Sequence, residues 1–236
     1  MKSQDGITEN YLLINDNLLN QVRTIFDNWF TYFSHFNGVR SKDWKMGTIS
    51  DLAENIVCGK TPSTKNKSFY GNEIPFITIP DMHNSTYIVK TERCLSKLGG
   101  DSQYNKYLPP NSICVSCIGT AGLVSFVHAI SQTNQQINSI VPKANISPYY
   151  VFLLMEKLSP MIQALGSSGS TIANLNKEQF SQIEVLIPSS FALSQFDLIV
   201  KPLFETIRIN QVQNIRLTSL RDYLLPRLLN GEVQLK

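Results

Sequence analysis

The chain has 236 residues, 42% apolar and only 17% charged, with a net charge of +3 from 21 basic and 18 acidic side chains. That is enough chain for one or two domains with a core that needs no staples. No run of 18 apolar residues is present to span a membrane, four cysteines do not make a secreted disulfide framework, and Met1–Asp5 lack a signal-peptide core, so a cytoplasmic protein is expected.

Amides replace the missing charge, with 20 Asn and 13 Gln in the chain. Such groups donate and accept, as a reader of base edges, carbohydrate or peptide requires. The small positive balance permits a polyanion partner but argues against a polybasic binder.

Residues 10–34 place Leu12, Leu18, Leu19, Val22, Ile25, Phe26, Trp29, Phe30 and Phe33 at intervals of three and four, which predicts an amphipathic helix ended near Gly38. Between 44 and 188, glycines separate short apolar runs. Strands are expected at Pro75–Ile79, Tyr87–Lys90, Ser112–Ile118, Val124–His128, Ile137–Val141 and Glu184–Ile187, with helices at Ser147–Leu158 and Lys177–Gln182. This predicts an α+β domain with a twisted mixed or antiparallel sheet. From Ser190 an apolar pattern runs through Phe204, Ile207, Ile215, Leu220 and Leu224. Pro202 predicts a kink or break near Lys201, and Pro226 with Gly231 a stop.

Leu18, Val22, Phe26, Trp29 and Phe33 at one end, and Phe204, Ile207, Ile215, Leu220 and Leu224 at the other, are therefore candidate packing residues. The two stripes are expected to pair antiparallel, with each other or with those of a second copy.

Motifs for chemistry are sparse. Cys114 and Cys117 have zinc-knuckle spacing, but on a strand residues three apart face opposite ways, which favours buried thiols. Asp81 and Glu92 are spaced as in a Mg²⁺-dependent nuclease, although Cys94 stands where such sites place lysine. Ser147-Pro148-Tyr149-Tyr150 faintly echoes an adenine-methyltransferase loop without its leading Asn or Asp.

Three polar loops remain. Gly59–Lys67 is basic and ends near Tyr70, and from Lys60 to Lys106 seven basic residues outnumber four acidic ones. Lys60, Lys65, Lys67, Lys90 and Arg93 are candidate phosphate contacts. Ser131–Asn138 is nearly all amide and hydroxyl, so Asn134, Gln135 and Gln136, with Tyr70 and Thr120, are candidates for reading bases or positioning loops. Gly166–Thr171 precedes a helix start, and Ser170 and Thr171 are candidates for a phosphate or for the loop itself. Each loop also reads as a solvated turn.

Taken in order, these segments resemble the DNA-specificity subunit (HsdS) of Type I restriction-modification enzymes. Trp44-Lys45 with Gly47–Glu54 resembles the start of a target recognition domain, and Gly59–Ser63 its first loop. Ile74–Ile77 with Asp81, Ser116–Gly122, Asn134–Gln136, Gly169–Leu175 and Ile183–Pro188 resemble its later strands and turns. Leu220–Glu232 is similar to the family's helical terminus, and Asn17–Phe33 to the end of its central spacer helix.

The resemblance implies a spacer-type helix over 1–40, one target recognition domain over 41–188 and a second long helix over 189–236. Complete subunits carry two recognition domains, so a half-length subunit or a fragment is expected. It further implies a non-catalytic reader of double-stranded DNA. Its partners would be a methyltransferase subunit and an endonuclease/translocase subunit, which would hold AdoMet, Mg²⁺ and ATP, and no cofactor is expected on this chain. A homodimer through the terminal helices is a further expectation. Against this stand a DNA-processing enzyme (Mg-dependent nuclease or adenine methyltransferase) and a helical scaffold.

Overall fold

The computed structural model describes residues 2–167 and 174–230. Helix α1 (Lys2–Phe26) begins earlier than its apolar stripe and passes into a π-turn over Asp27–Thr31. This turn closes with Tyr32 N–H on Asp27 O at 2.8 Å, and Trp29 and Phe30 are both buried in it. The helical run stops at Phe33, which is left-handed at φ 54°, so Gly38 is not the stop.

Next come β1 (Lys45–Thr48), α2 (Ile49–Leu52), β2 (Ala53–Cys58), β3 (Tyr70–Gly71), β4 (Ile74–Ile77), α3 (Ile79–Met82), β5 (Tyr87–Ile88), β6 (Arg93–Leu95) and α4 (Lys97–Asp101). They are followed by β7 (Ile113–Ser116), β8 (Val124–Val127), β9 (Gln132–Thr133), β10 (Ile137–Pro142), α5 (Pro148–Ser167), α6 (Lys177–Ser181), β11 (Glu184–Ile187) and α7 (Ser190–Leu229). The fold is α+β. One sheet has the order β2-β10-β7-β8-β5, a second β3-β6-β4-β9, and β1 pairs with β11. Within the larger sheets only β5–β8 and β4–β9 are parallel.

The two-residue period of the strands divides the core. Ile56, Tyr87, Ile113, Val115, Phe126 and Ile140 face a cluster shared with α1, α5 and α7. Their neighbours Val57, Ile88, Cys114, Val127 and Ile137 face a second cluster with Ile77 and Met82. The five-stranded sheet is thus a middle layer between the helices and the smaller sheet.

Helices α1 and α7 pair within the chain. Asn15 reaches Ile207 and Asn210, whereas Phe26 reaches Phe196, so the two run antiparallel. Val22, Phe26, Trp29, Phe204 and Ile207 are buried, Leu18 and Phe33 partly so. Farther out, Ile215 and Leu224 are half-buried and Leu220 is exposed.

Of the kink or break expected near Lys201 the break does not occur, and α7 continues through Pro202 and through Pro226. Proline costs roughly 3 kcal/mol inside a helix. Here Phe196, Val200, Phe204 and Ile207, all fully buried on either side of Pro202, hold the helix against the core. Each such side chain contributes about 1.5–3 kcal/mol on burial.

Candidate nucleic-acid interface

The basic loop leaves β2 at Gly59, where a Cβ would lie 2.1 Å from Asn134 O. Only glycine lets the two backbones approach so closely. Lys60 N–H then donates to Thr133 O at 2.9 Å, and Thr61 Oγ1 to Gln135 Oε1 at 2.8 Å. Farther along, Asn66 Oδ1 accepts from Ser68 N–H, and Tyr70 donates its hydroxyl to Pro62 O at 2.9 Å. Tyr70 is therefore a loop tie. Lys60, Lys65 and Lys67 are exposed, and none makes an ion pair among the described residues.

The amide turn separates into two kinds of residue. Asn134 is buried, donates from Nδ2 to Gln136 Oε1 at 2.9 Å and accepts from Gln136 N–H at 3.1 Å. It shapes the turn. Gln135 is exposed and uses its side-chain oxygen on Thr61. Gln136 O accepts from Cys117 N–H at 2.8 Å, which ties the turn to the end of β7.

There the chain makes a glycine turn, with Gly119 at φ 78° and Gly122 at φ 88°. Ser116 Oγ donates to Thr120 O and accepts from Leu123 N–H, while the Thr120 side chain stays exposed. Ile118 bridges Asn174, and Leu175 N–H donates to Cys117 O. Ser170 and Thr171 lie outside the described residues. Lys60–Thr61, Thr120, Gln135 and Asn174 thus gather on one rim.

Two other candidates sit elsewhere. Lys90 lines a groove with Leu12, Ile215 and Asp222 of the helix pair. Arg93 is on β6, its guanidinium 5.8 Å from the Phe76 ring centre.

The enzyme-like features resolve into structure. Asp81 Oδ2 accepts from Thr78 N–H and Oγ1 at the start of α3, and its Oδ1 accepts from the backbone N–H of Glu92 at 2.8 Å. The Glu92 main chain, rather than its carboxylate, meets Asp81. Tyr149 and Tyr150 are buried in the first turn of α5, where Tyr150 donates to Leu186 O. Cys114 and Cys117 belong to opposite clusters, and burial pushes their thiols up to about 12 and about 11. Among the described residues no three His, Cys, Asp or Glu side chains group to hold a metal, and no helix is long and apolar enough to cross a membrane.

Sequence reasoning missed Gln103 and Gln132, whose side chains bond each other 29 residues apart at 2.8 Å inside the domain. Gln132 lies in the amide loop Ser131–Asn138, whereas for Gln103 the amide-rich composition is the signal the sequence offers.

Comparison with known proteins adds an independent line. The Type I restriction modification DNA specificity domain matches residues 41–219. The HindI specificity subunit of Haemophilus influenzae is 47% identical over 194 residues, 81% of this chain and 42% of the relative. The MjaIX specificity subunit of Methanocaldococcus jannaschii is 30% identical over 185 residues, 73% of this chain and 42% of the relative. Among solved structures, the S subunit of a Type I restriction-modification system from M. genitalium superposes with a TM-score of 0.67 at 16% identity, over 96% of this chain and 58% of that one. The chain spans about two fifths of the length of the curated relatives it matches.

Proposed function

This chain belongs to the Type I restriction modification DNA specificity family, and from that premise we propose that it reads a double-stranded DNA sequence without catalysing a reaction. The observation that supports this best is the rim itself. The lysines Lys60, Lys65 and Lys67, without ion pairs among the described residues, lie on a loop bonded directly to Gln135, whose amide nitrogen points to no protein acceptor among the described residues. Lysines of this kind hold phosphates and fix register, while amides read base edges.

The chemistry belongs to partners in this reading: a methyltransferase subunit with AdoMet, and an endonuclease/translocase subunit with Mg²⁺ and ATP. The carboxylate of Asp81 is occupied by backbone donors, which argues against a nuclease role. Leu13, Ile14, Ile209 and Tyr223 leave apolar surface exposed on the helix pair. A methyltransferase subunit is the proposed occupant of that surface. A homodimer through the terminal helices competes for it, and would show as a scattering mass of twice 26.6 kDa for the isolated chain.

The test is a titration of labelled duplex with the full chain at several salt concentrations. Binding should weaken linearly in log–log form, and Lys65→Ala or Lys67→Ala should each lower the slope by about one, equally for all sequences. Methyl transfer or cleavage by the chain alone, lost on Asp81→Ala, would contradict the proposal.

A further inference from the structure

Gln103 and Gln132 form a buried amide pair that joins three segments. Gln103 Nε2 donates to Lys60 O at 2.7 Å and to Gln132 Oε1 at 2.8 Å. Gln132 Nε2 donates to Gly100 O at 2.9 Å. Buried amides are stabilising only when bonded in this way. The start of the basic loop is thus fastened to the segment after α4.

The far end of the loop is fastened there too. Ser96 N–H donates to Phe69 O at 3.0 Å, and Ser96 Oγ to Ser68 O at 2.6 Å. A Cβ on Gly99 would lie 2.0 Å from Phe69 O, so α4 touches the loop backbone to backbone. Both ends of the loop are therefore bonded to the segment that carries the 3₁₀ turn Tyr104–Lys106 after α4.

That turn presents an aromatic, an amide and a cation. Tyr104 is 77% exposed and Asn105 is exposed. Lys106 makes no ion pair among the described residues, whereas nearby Lys97 is paired with Asp101 at 2.8 Å. Tyr107, by contrast, gives its hydroxyl to Asp101.

We infer that the Tyr104–Lys106 turn is a second DNA contact, held rigidly beside the Lys60 loop: Lys106 meets a phosphate, and the Tyr104 ring packs on the adjoining sugar or base edge. This rests on the proposed DNA reading. The chemistry is that of phosphate positioning combined with apolar contact in a groove.

The test compares the full chain with Tyr104→Ala, Lys106→Ala and Lys97→Ala, titrated against a labelled random-sequence duplex, with a thermal melt of each. Tyr104 and Lys97 are exposed and Lys106 is half-buried without an ion pair among the described residues, so melts close to that of the wild type are expected. Lys106→Ala should lower the salt slope by about one. Tyr104→Ala should weaken binding about fivefold, the size of a lost contact near 1 kcal/mol, with the slope unchanged. Lys97→Ala should match the wild type. Wild-type affinity and slope in either Tyr104→Ala or Lys106→Ala, beside a weakened Lys65→Ala, overturns the inference and leaves the DNA reading intact. A wild-type chain that does not bind duplex at all overturns both.

Discussion

Thr61 Oγ1 donates a 2.8 Å hydrogen bond to the side-chain oxygen of Gln135, joining two loops 74 residues apart. Next to it, Asn134 is buried and bonded twice to Gln136. Neighbouring amides therefore have different roles. Gln135→Ala should leave the melt nearly unchanged and relax discrimination at one base pair by about 1–3 kcal/mol. Asn134→Ala should instead lower stability by about 1–3 kcal/mol and weaken binding to all duplexes alike. Competition binding beside a melt of each variant separates these effects. A Gln135→Ala variant with lowered stability and intact discrimination would count against the assignment.

Asn210 Nδ2 donates to Asn15 Oδ1 at 2.8 Å, between helices α7 and α1, and both side chains are buried. Asn15→Ala removes the acceptor and leaves a buried donor, so stability should fall by about 1–3 kcal/mol. In a chain of this size each kcal/mol is about 2–4 °C in Tm. Replacing both residues by Leu should restore much of the loss, since no polar group is then left unpaired. Thermal melts of the single and double variants check this, and a double variant less stable than the single would contradict it.

Ser147, the residue before α5, donates from Oγ to Asp197 of α7, and burial holds the Asp197 carboxyl above its ordinary value of 3.8, opposed by the Ser147 bond and by Lys201. A raised carboxyl favours the protonated form in the fold. Its contribution to stability is present below about pH 3.8 and lost as pH rises through the folded value. Asn at this position still accepts from Ser147 and does not ionise. The Tm of Asp197→Asn relative to wild type should therefore increase from about pH 4 upward and level off. A difference independent of pH would contradict this.

Much of the fold is legible in the sequence where periodicity is strong. The stripe from Leu18 to Phe30 marks α1, and Glu184–Ile187 is a strand with the bounds its pattern gives. The first residues of α1 carry no apolar period, so the helix start at Lys2 is not readable. β3 and β9 are two residues long, too short for any alternation to register, whereas β5 falls within the expected strand Tyr87–Lys90 and covers only its first two residues. β2 is missed because Glu54 and Asn55 break its alternation at an edge of the five-stranded sheet. Pro202 does not break α7 because its local cost is outweighed by burial on both sides of it. The lysine loop is readable from composition. Its partners are not, since Thr61–Gln135 and Gln103–Gln132 are long-range pairs of residues common in any polar loop.

The central claim is that the Lys60–Gln135 rim reads a DNA sequence, and selection from a randomised duplex library by the full chain tests it most directly. The wild type should enrich a defined motif, and Gln135→Ala should enrich the same motif with one position degenerate. Recovery of the library without enrichment, by a chain that melts cooperatively, would contradict the claim.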